Sequence, residues 1–189
     1  MTRHVDFAAD NRSIGRCIVL PGRQYTPDGP LLFFAAQTAL SRGWDVRQVW
    51  WDPPDRGSWT VDDEIAWVGA ELDAAVDGYR GKILVVGKSL GTLAAPVARS
   101  RGYSAAWLTP LLTEPRLADA MTTYPARQFT VIGSSDPFLD KEVFEALPGE
   151  RLLVAGDHIL RVPEDPAGMV ESHARFVRAF DAWLTAAQV

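Results

Sequence analysis

The sequence predicts an α/β protein: a three-layer αβα sandwich built on a mostly parallel sheet of about six strands. Three observations carry that prediction. Short apolar runs alternate with longer segments of helical spacing along the whole chain, and such alternation implies parallel strands joined by right-handed crossovers. The runs are near-continuously apolar, as expected of strands covered on both faces. No linker, repeat or low-complexity tract divides the 189 residues, a length that suits one domain spanning 1–189.

The strand runs are 16–20 (RCIVL), 46–51 (VRQVWW), 82–87 (KILVVG), 105–109 (AAWLT), 127–133 (RQFTVIG) and 150–155 (ERLLVA). Each is short, rich in β-branched or aromatic residues, and bounded by Gly, Pro or Asp. Helices are expected near 31–42, 61–78, 89–101, 114–122, 140–147 and 168–187. The last carries Val170, Phe176, Val177, Phe180, Trp183 and Leu184, a stripe suited to packing on a sheet. The first fifteen residues form either an edge strand or coil.

Composition narrows the class. With 47% hydrophobic and 23% charged residues, the chain has material for a real core. Its net charge of −5, without any Lys/Arg cluster, argues against a nucleic-acid partner, because a phosphate backbone requires a basic patch. The lone Cys17 lies in an apolar run and reads as a buried thiol, so no internal disulfide forms and no oxidising compartment is required. The opening fifteen residues carry Asp6 and Asp10 and no apolar run, unlike a signal peptide. No stretch approaches the roughly 18 apolar residues of a membrane span. A soluble cytoplasmic protein without a membrane partner is expected.

Residues 82–92, KILVVGKSLGT, allow two readings. Gly87-Lys88-Ser89 could close a phosphate-binding loop, but that loop needs a glycine at position 82, which is Lys82. The intervening Ile-Leu-Val-Val also reads as a strand whose N–H groups are committed to a sheet, not free to surround phosphates. The same letters fit Gly-x-Ser-x-Gly after an apolar strand and before a helix, a nucleophile elbow. There Gly87 and Gly91 leave room where backbones pass closely, and Ser89 opens a helix whose dipole favours developing negative charge. The plain alternative is Ser89 as a helix cap.

A serine nucleophile needs a base, and the base needs an orienting acid. In elbow proteins the chain order is serine, acid, histidine. Of His4, His158 and His173, only the last two follow Ser89. His158 falls in a loop just past the last strand run, where open parallel sheets place their sites. His173 lies inside the final helix. Asp136 also lies just past a strand, whereas Asp140 reads as the cap of the next helix. Asp157 adjoins His158 too closely in sequence to reach its ring, and Asp52 comes before Ser89. The catalytic candidates are therefore Ser89, Asp136 and His158.

Gly87-Lys88-Ser89-Leu90-Gly91, Gly133-Ser134-Ser135-Asp136 and Gly156-Asp157-His158, each after a strand, make the chain resemble an α/β-hydrolase over nearly its whole length. The resemblance implies a Ser89–His158–Asp136 triad, an acyl-enzyme on Ser89, and an oxyanion hole. One donor would be the N–H of Leu90. The other would come from Arg23, Gln24 or Tyr25 in the loop 20–30, with Gln24 taken as its representative. Pro21-Gly22 stands where many relatives have His-Gly. Only 110–115 separates a strand from the next helix, so a lid domain has no room. The usual pair of antiparallel leading strands is missing or reduced. A minimal hydrolase fold with an open cleft is implied.

Tyr25, Trp51 and Phe138 sit in or beside the strand-end loops and are candidates for an apolar substrate wall. Trp50, Trp107, Leu111 and Leu112 read mainly as core. Lys88 adjoins the nucleophile, and in such turns that side chain generally points away from the cleft. Three scattered histidines and one cysteine make no metal cluster, and triad hydrolysis needs no cofactor. The expected activity is cleavage of a small or accessible carboxylic ester, with thioesters and amides open to the same machinery. The alternatives are an acyltransferase using the same triad and a non-catalytic small-molecule-binding protein on the same scaffold.

Overall fold

The computed structural model describes residues 2–10, 12–55 and 57–186. The expected end of the last helix at 187 falls outside them, as do Met1 and Asn11 of the opening segment. The elements in order are β1 (Arg3–Phe7), β2 (Gly15–Leu20), α1 (Pro30–Ser41), β3 (Trp44–Trp50), α2 (Val61–Val76), β4 (Ile83–Lys88), a 3₁₀ turn (Ser89–Ala94), α3 (Ala95–Ser100), β5 (Ser104–Leu108), α4 (Pro115–Thr122), β6 (Gln128–Gly133), α5 (Lys141–Ala146), β7 (Glu150–Val154) and α6 (Pro166–Ala186). They build one seven-stranded sheet in the order β1-β3-β2-β4-β5-β6-β7. β1 pairs antiparallel with β3, and every other pairing is parallel. The seventh strand is β1, one antiparallel leading strand where the family commonly has two.

Both faces of the sheet are covered. Ile18, Leu20, Val85, Trp107 and Ile132 pack with Val68 and Leu72 of α2, Leu93, Ala98 of α3 and Leu117 of α4. Cys17, Val19, Leu84, Val86 and Val131 pack on the opposite face with Leu31 and Leu32 of α1 and Phe176, Phe180 and Trp183 of α6. The period of two along each strand divides these sets. Burying a Leu or Phe side chain stabilises by about 1.5–3 kcal/mol, and β2, β4 and β5 contribute fully buried residues to both faces.

Local chemistry fixes the helix starts. Thr60 and Asp63 form a reciprocal capping box at α2. Asp140 caps α5 by accepting from Val143 N at 3.0 Å. Pro30 opens α1, where its missing N–H costs nothing. The helix expected at 89–101 is instead a 3₁₀ turn followed by a short α3. Pro96 explains the break, because it has no N–H to return to Thr92 O, and Ala95 N takes that acceptor one residue early.

β3 and β4 lie on opposite sides of β2. Strand order therefore reverses between β2 and β4, and the crevice beyond their carboxyl ends is where such sheets place ligands. The turn after β2 and the elbow after β4 meet there.

Candidate active site

Ser89 follows β4 directly and has φ +52°, a left-handed conformation that a non-glycine residue holds only under local constraint. The constraint is close backbone packing. A Cβ on Gly87 would stand 2.5 Å from Gly91 O, and one on Gly91 would collide with Leu20 O. The sharp turn thus depends on both glycines and lifts the Ser89 hydroxyl above the sheet edge. β4 is hydrogen-bonded on both sides, to β2 and β5, so its N–H groups are not free to surround a phosphate. This removes the phosphate-loop reading.

His158 lies in the loop after β7. Asp157 folds that loop: its carboxylate accepts from the N–H groups of Ile159 and Arg161, each at 3.0 Å. Burial works to raise the Asp157 carboxyl, but those hydrogen bonds and the Arg161 charge outweigh it and hold its pKa below the usual carboxylate value. Asp157 is thereby occupied away from the imidazole. His158 Nε2 stands 2.8 Å from Ser89 Oγ. Its Nδ1 stands 2.9 and 3.1 Å from the two carboxylate oxygens of Asp136. The Asp136 carboxylate, which has no exposed surface, also accepts from Phe138 N at 2.9 Å. Serine, imidazole and carboxylate form one continuous hydrogen-bonded line contributed by the loops after β4, β7 and β6.

The turn after β2 closes the opposite wall. Gly22 and Tyr25 pair across it. A Cβ on Gly22 would stand 3.4 Å from Ser89 Cβ, so the main chain at Gly22 passes beside the nucleophile. Gln24 is exposed at the outer corner of this turn. Arg23 reaches away to Glu64 of α2 and to Pro54 O. Trp51 supports the turn from below, donating to Gly22 O at 3.4 Å while its ring packs on Trp67. Leu90 is buried in the first turn of the 3₁₀ segment, where an N–H has no partner within the helix.

The other expected residues separate. Phe138 is half-buried, with its ring 4.9 Å from that of His158. The Tyr25 hydroxyl accepts from Leu31 N at 2.9 Å, and burial raises its pKa to about 12 against that bond. Trp107 and Leu112 are core, and Trp50 lies under Arg3 at the sheet edge. His173 packs inside α6, its Nδ1 bonded to Met169 O, and His4 is exposed on β1. Lys88, whose sequence position beside the nucleophile assigns it no role, lies beneath the turn. It is 2% exposed, with its Nζ 4.7 Å from the centre of the Tyr25 ring. The alternation along β4 was the available signal, since it puts Lys88 on the face of Leu84 and Val86. Among the described residues no group of three His, Cys, Asp or Glu is placed to hold a metal, and no helix is long and apolar enough to cross a membrane.

No protein-family model matches the chain, and no curated protein matches it significantly in sequence. Solved structures do match. An alpha-beta serine hydrolase homologue from Coxiella burnetii superposes with TM-score 0.68 at 16% identity, covering 94% of this chain and 91% of that one. Est1E from Butyrivibrio proteoclasticus, in its ferulic-acid-bound structure, gives TM-score 0.73 at 11% identity over 98% of this chain and 94% of that one. A serine hydrolase without a lid from Xanthomonas campestris gives 0.68 at 14% identity over 98% and 88%. With six residues between β5 and α4, and a mostly parallel sheet flanked by helices on both faces, the chain has the lidless α/β-hydrolase fold.

Proposed function

We propose that the protein is a serine hydrolase that cleaves a small, accessible carboxylic ester by way of an acyl-enzyme on Ser89. The observation that carries this reading is the unbroken line Ser89 Oγ–His158 Nε2, His158 Nδ1–Asp136. A structural serine has no need of a histidine held at both nitrogens. Neighbouring folds described as serine hydrolases support the same class.

In acylation, Ser89 Oγ attacks the ester carbonyl while His158 Nε2 takes its proton. Asp136 holds Nδ1–H, selecting the tautomer and stabilising the imidazolium. In this reading the tetrahedral oxyanion accepts from Leu90 N–H and from a main-chain N–H of the turn just after Gly22, for which Arg23, the residue that follows Gly22, is the candidate in place of Gln24. Collapse breaks the ester C–O bond, and His158 returns the proton to the departing alcohol. Water then repeats the sequence on the acyl-serine, releasing the acid and restoring Ser89.

Substrate size follows from what flanks this line. Val61, Leu93, Leu111 and Phe138, together with the polar Glu64, Thr113 and Glu114, border a pocket of about 130 Å³, well below the roughly 300–1,000 Å³ of sites for drug-sized ligands. A short acyl or alkyl group fits it. Its wall is Phe138 from the expected set, joined by residues of the elbow, the β5–α4 link and α2.

The test is intact-mass analysis after fluorophosphonate treatment, with peptide mapping. One adduct on Ser89, absent in His158→Ala, is expected. No adduct, under conditions where a control hydrolase labels fully, would overturn the reading and leave a non-catalytic binding protein.

A further inference from the structure

We propose that Lys88 is a positioning residue, whose buried positive charge holds the 22–25 turn against Ser89; this rests on the hydrolase reading above, because that turn would supply the second oxyanion donor. Lys88 ends β4 and points to the α1 face, beneath the turn. Its Nζ lies over the Tyr25 ring, 4.7 Å from the centre. Its Cδ lies 3.4 Å from the position a Gly22 Cβ would take, the same point that is 3.4 Å from Ser89 Cβ. One side chain therefore touches both ends of a turn whose ends pair with each other. Tyr25 cannot swing aside freely, because its hydroxyl is tied to Leu31 N at the start of α1.

The contact suits a cation. An ammonium ion in a desolvated site is drawn to the face of an aromatic ring, and the methylene stem fills the space under Gly22. The carboxylates of Asp136 and Asp157, in the loops after β6 and β7, act on it through space and favour the charged form. Tyr25 above contributes no charge in the working range, since its own titration is pushed to about 12. A shift of roughly 1 Å in such a donor costs about 100-fold in rate.

Burial lowers the Lys88 pKa to about 8, against the pull of Asp136 and Asp157. The ammonium is intact below that pH and lost above it. Alkaline conditions thus do what removal of the charge does.

The experiment compares wild type with Lys88→Met, which keeps the stem and removes the charge, with Tyr25→Leu, and with the double variant. Three quantities are read: the rate of fluorophosphonate labelling of Ser89 from about pH 6 to about pH 10, kcat and KM on a short-chain ester, and amide exchange of residues 21–30. Lys88→Met should label roughly 10- to 100-fold more slowly and lose a similar factor in kcat on the ester, with KM little changed. It should lose the wild-type decline above pH 8 and exchange faster at 22–25. Tyr25→Leu should do the same, and the double variant should be no worse than either. Labelling within about twofold of wild type, or additive losses in the double variant, would overturn the proposal. If wild type itself never labels, the hydrolase reading fails alone. Exchange then decides for Lys88: faster exchange at 22–25 in Lys88→Met supports its hold on the turn, and unchanged exchange overturns it.

Discussion

Asp136 has both carboxylate oxygens engaged, by His158 Nδ1 and by Phe138 N. Asp136→Asn would keep the shape and one acceptor oxygen but present an amide N–H to the imidazole, favouring the wrong tautomer. The expected result is a loss of about 10⁴ in kcat with the melting temperature nearly unchanged, checked by ester hydrolysis beside thermal unfolding. Lys88 gives the opposite pairing of effects. In the unfolded chain it titrates at the ordinary value of 10.5, and in the fold burial lowers this to about 8. Between those two values the unfolded chain binds more protons, so Lys88 makes stability rise with pH there, and below pH 8 the buried ammonium destabilises. Burial raises the Cys17 thiol and Tyr25; both therefore make stability fall with pH, Cys17 from about pH 9 and Tyr25 from about pH 10. Lys88→Met should thus stabilise at pH 7, by on the order of 1–3 kcal/mol, while slowing the reaction. The gain should shrink by pH 9, as urea unfolding at the two pH values would register. A lysine kept only for packing would not couple a gain in stability to a loss in kcat.

Elements meet in this protein through a few buried polar groups. Gln128 at the start of β6 accepts from Trp107 Nε1 of β5 at 3.0 Å and donates to Met121 O of α4 and Pro148 O before β7, both at 3.1 Å. Gln128→Leu would leave a buried indole N–H and two carbonyls unpaired, costing about 2–4 kcal/mol with little change in Ser89 labelling. The seven strands were legible to different degrees for physical reasons. β2, β4, β5 and β6 are apolar on both faces, and that pattern survives reading in one dimension. β1 does not: it reads RHVDF, is mostly exposed on both sides, and is held by the β3 ladder, the paired Asp6–Arg47 contacts and Arg3 over Trp50. Those partners are 39 to 47 residues away, so little in the local sequence announces the strand. The positions of Ser89, Asp136 and His158 could be inferred because each lies within four residues of a strand's carboxyl end, which fixes the loop in space. The turn at 22–25 could not, since its shape depends on Trp51, Glu64 and Lys88 from three other elements.

At the scale of the molecule, the reversal of strand order between β2 and β4 opens a cleft that no later segment among the described residues crosses. β5 passes into α4 through Thr109–Glu114, a link too short to fold over Ser89, and the His158 side chain remains 22% exposed beside the hydroxyl it contacts. An enzyme whose site is covered must open before it binds, and an oil–water surface that favours the open form raises its rate abruptly. Among the described residues no segment covers the site, so there is no cover for such a surface to bias. The rate on a sparingly soluble short-chain ester should therefore follow a simple saturation curve, levelling as the solubility limit is crossed, with no burst or jump at that concentration. Single-turnover labelling of Ser89 should likewise show no lag. Lengthening the acyl chain should lower kcat/KM once the small pocket beside Phe138 is filled, and Phe138→Ala should shift that limit to longer chains by cutting back the wall that sets it. A rate that leaps at the solubility limit would mean that the loops after β5 and β6 close over the site in solution, and the open cleft would have to be abandoned.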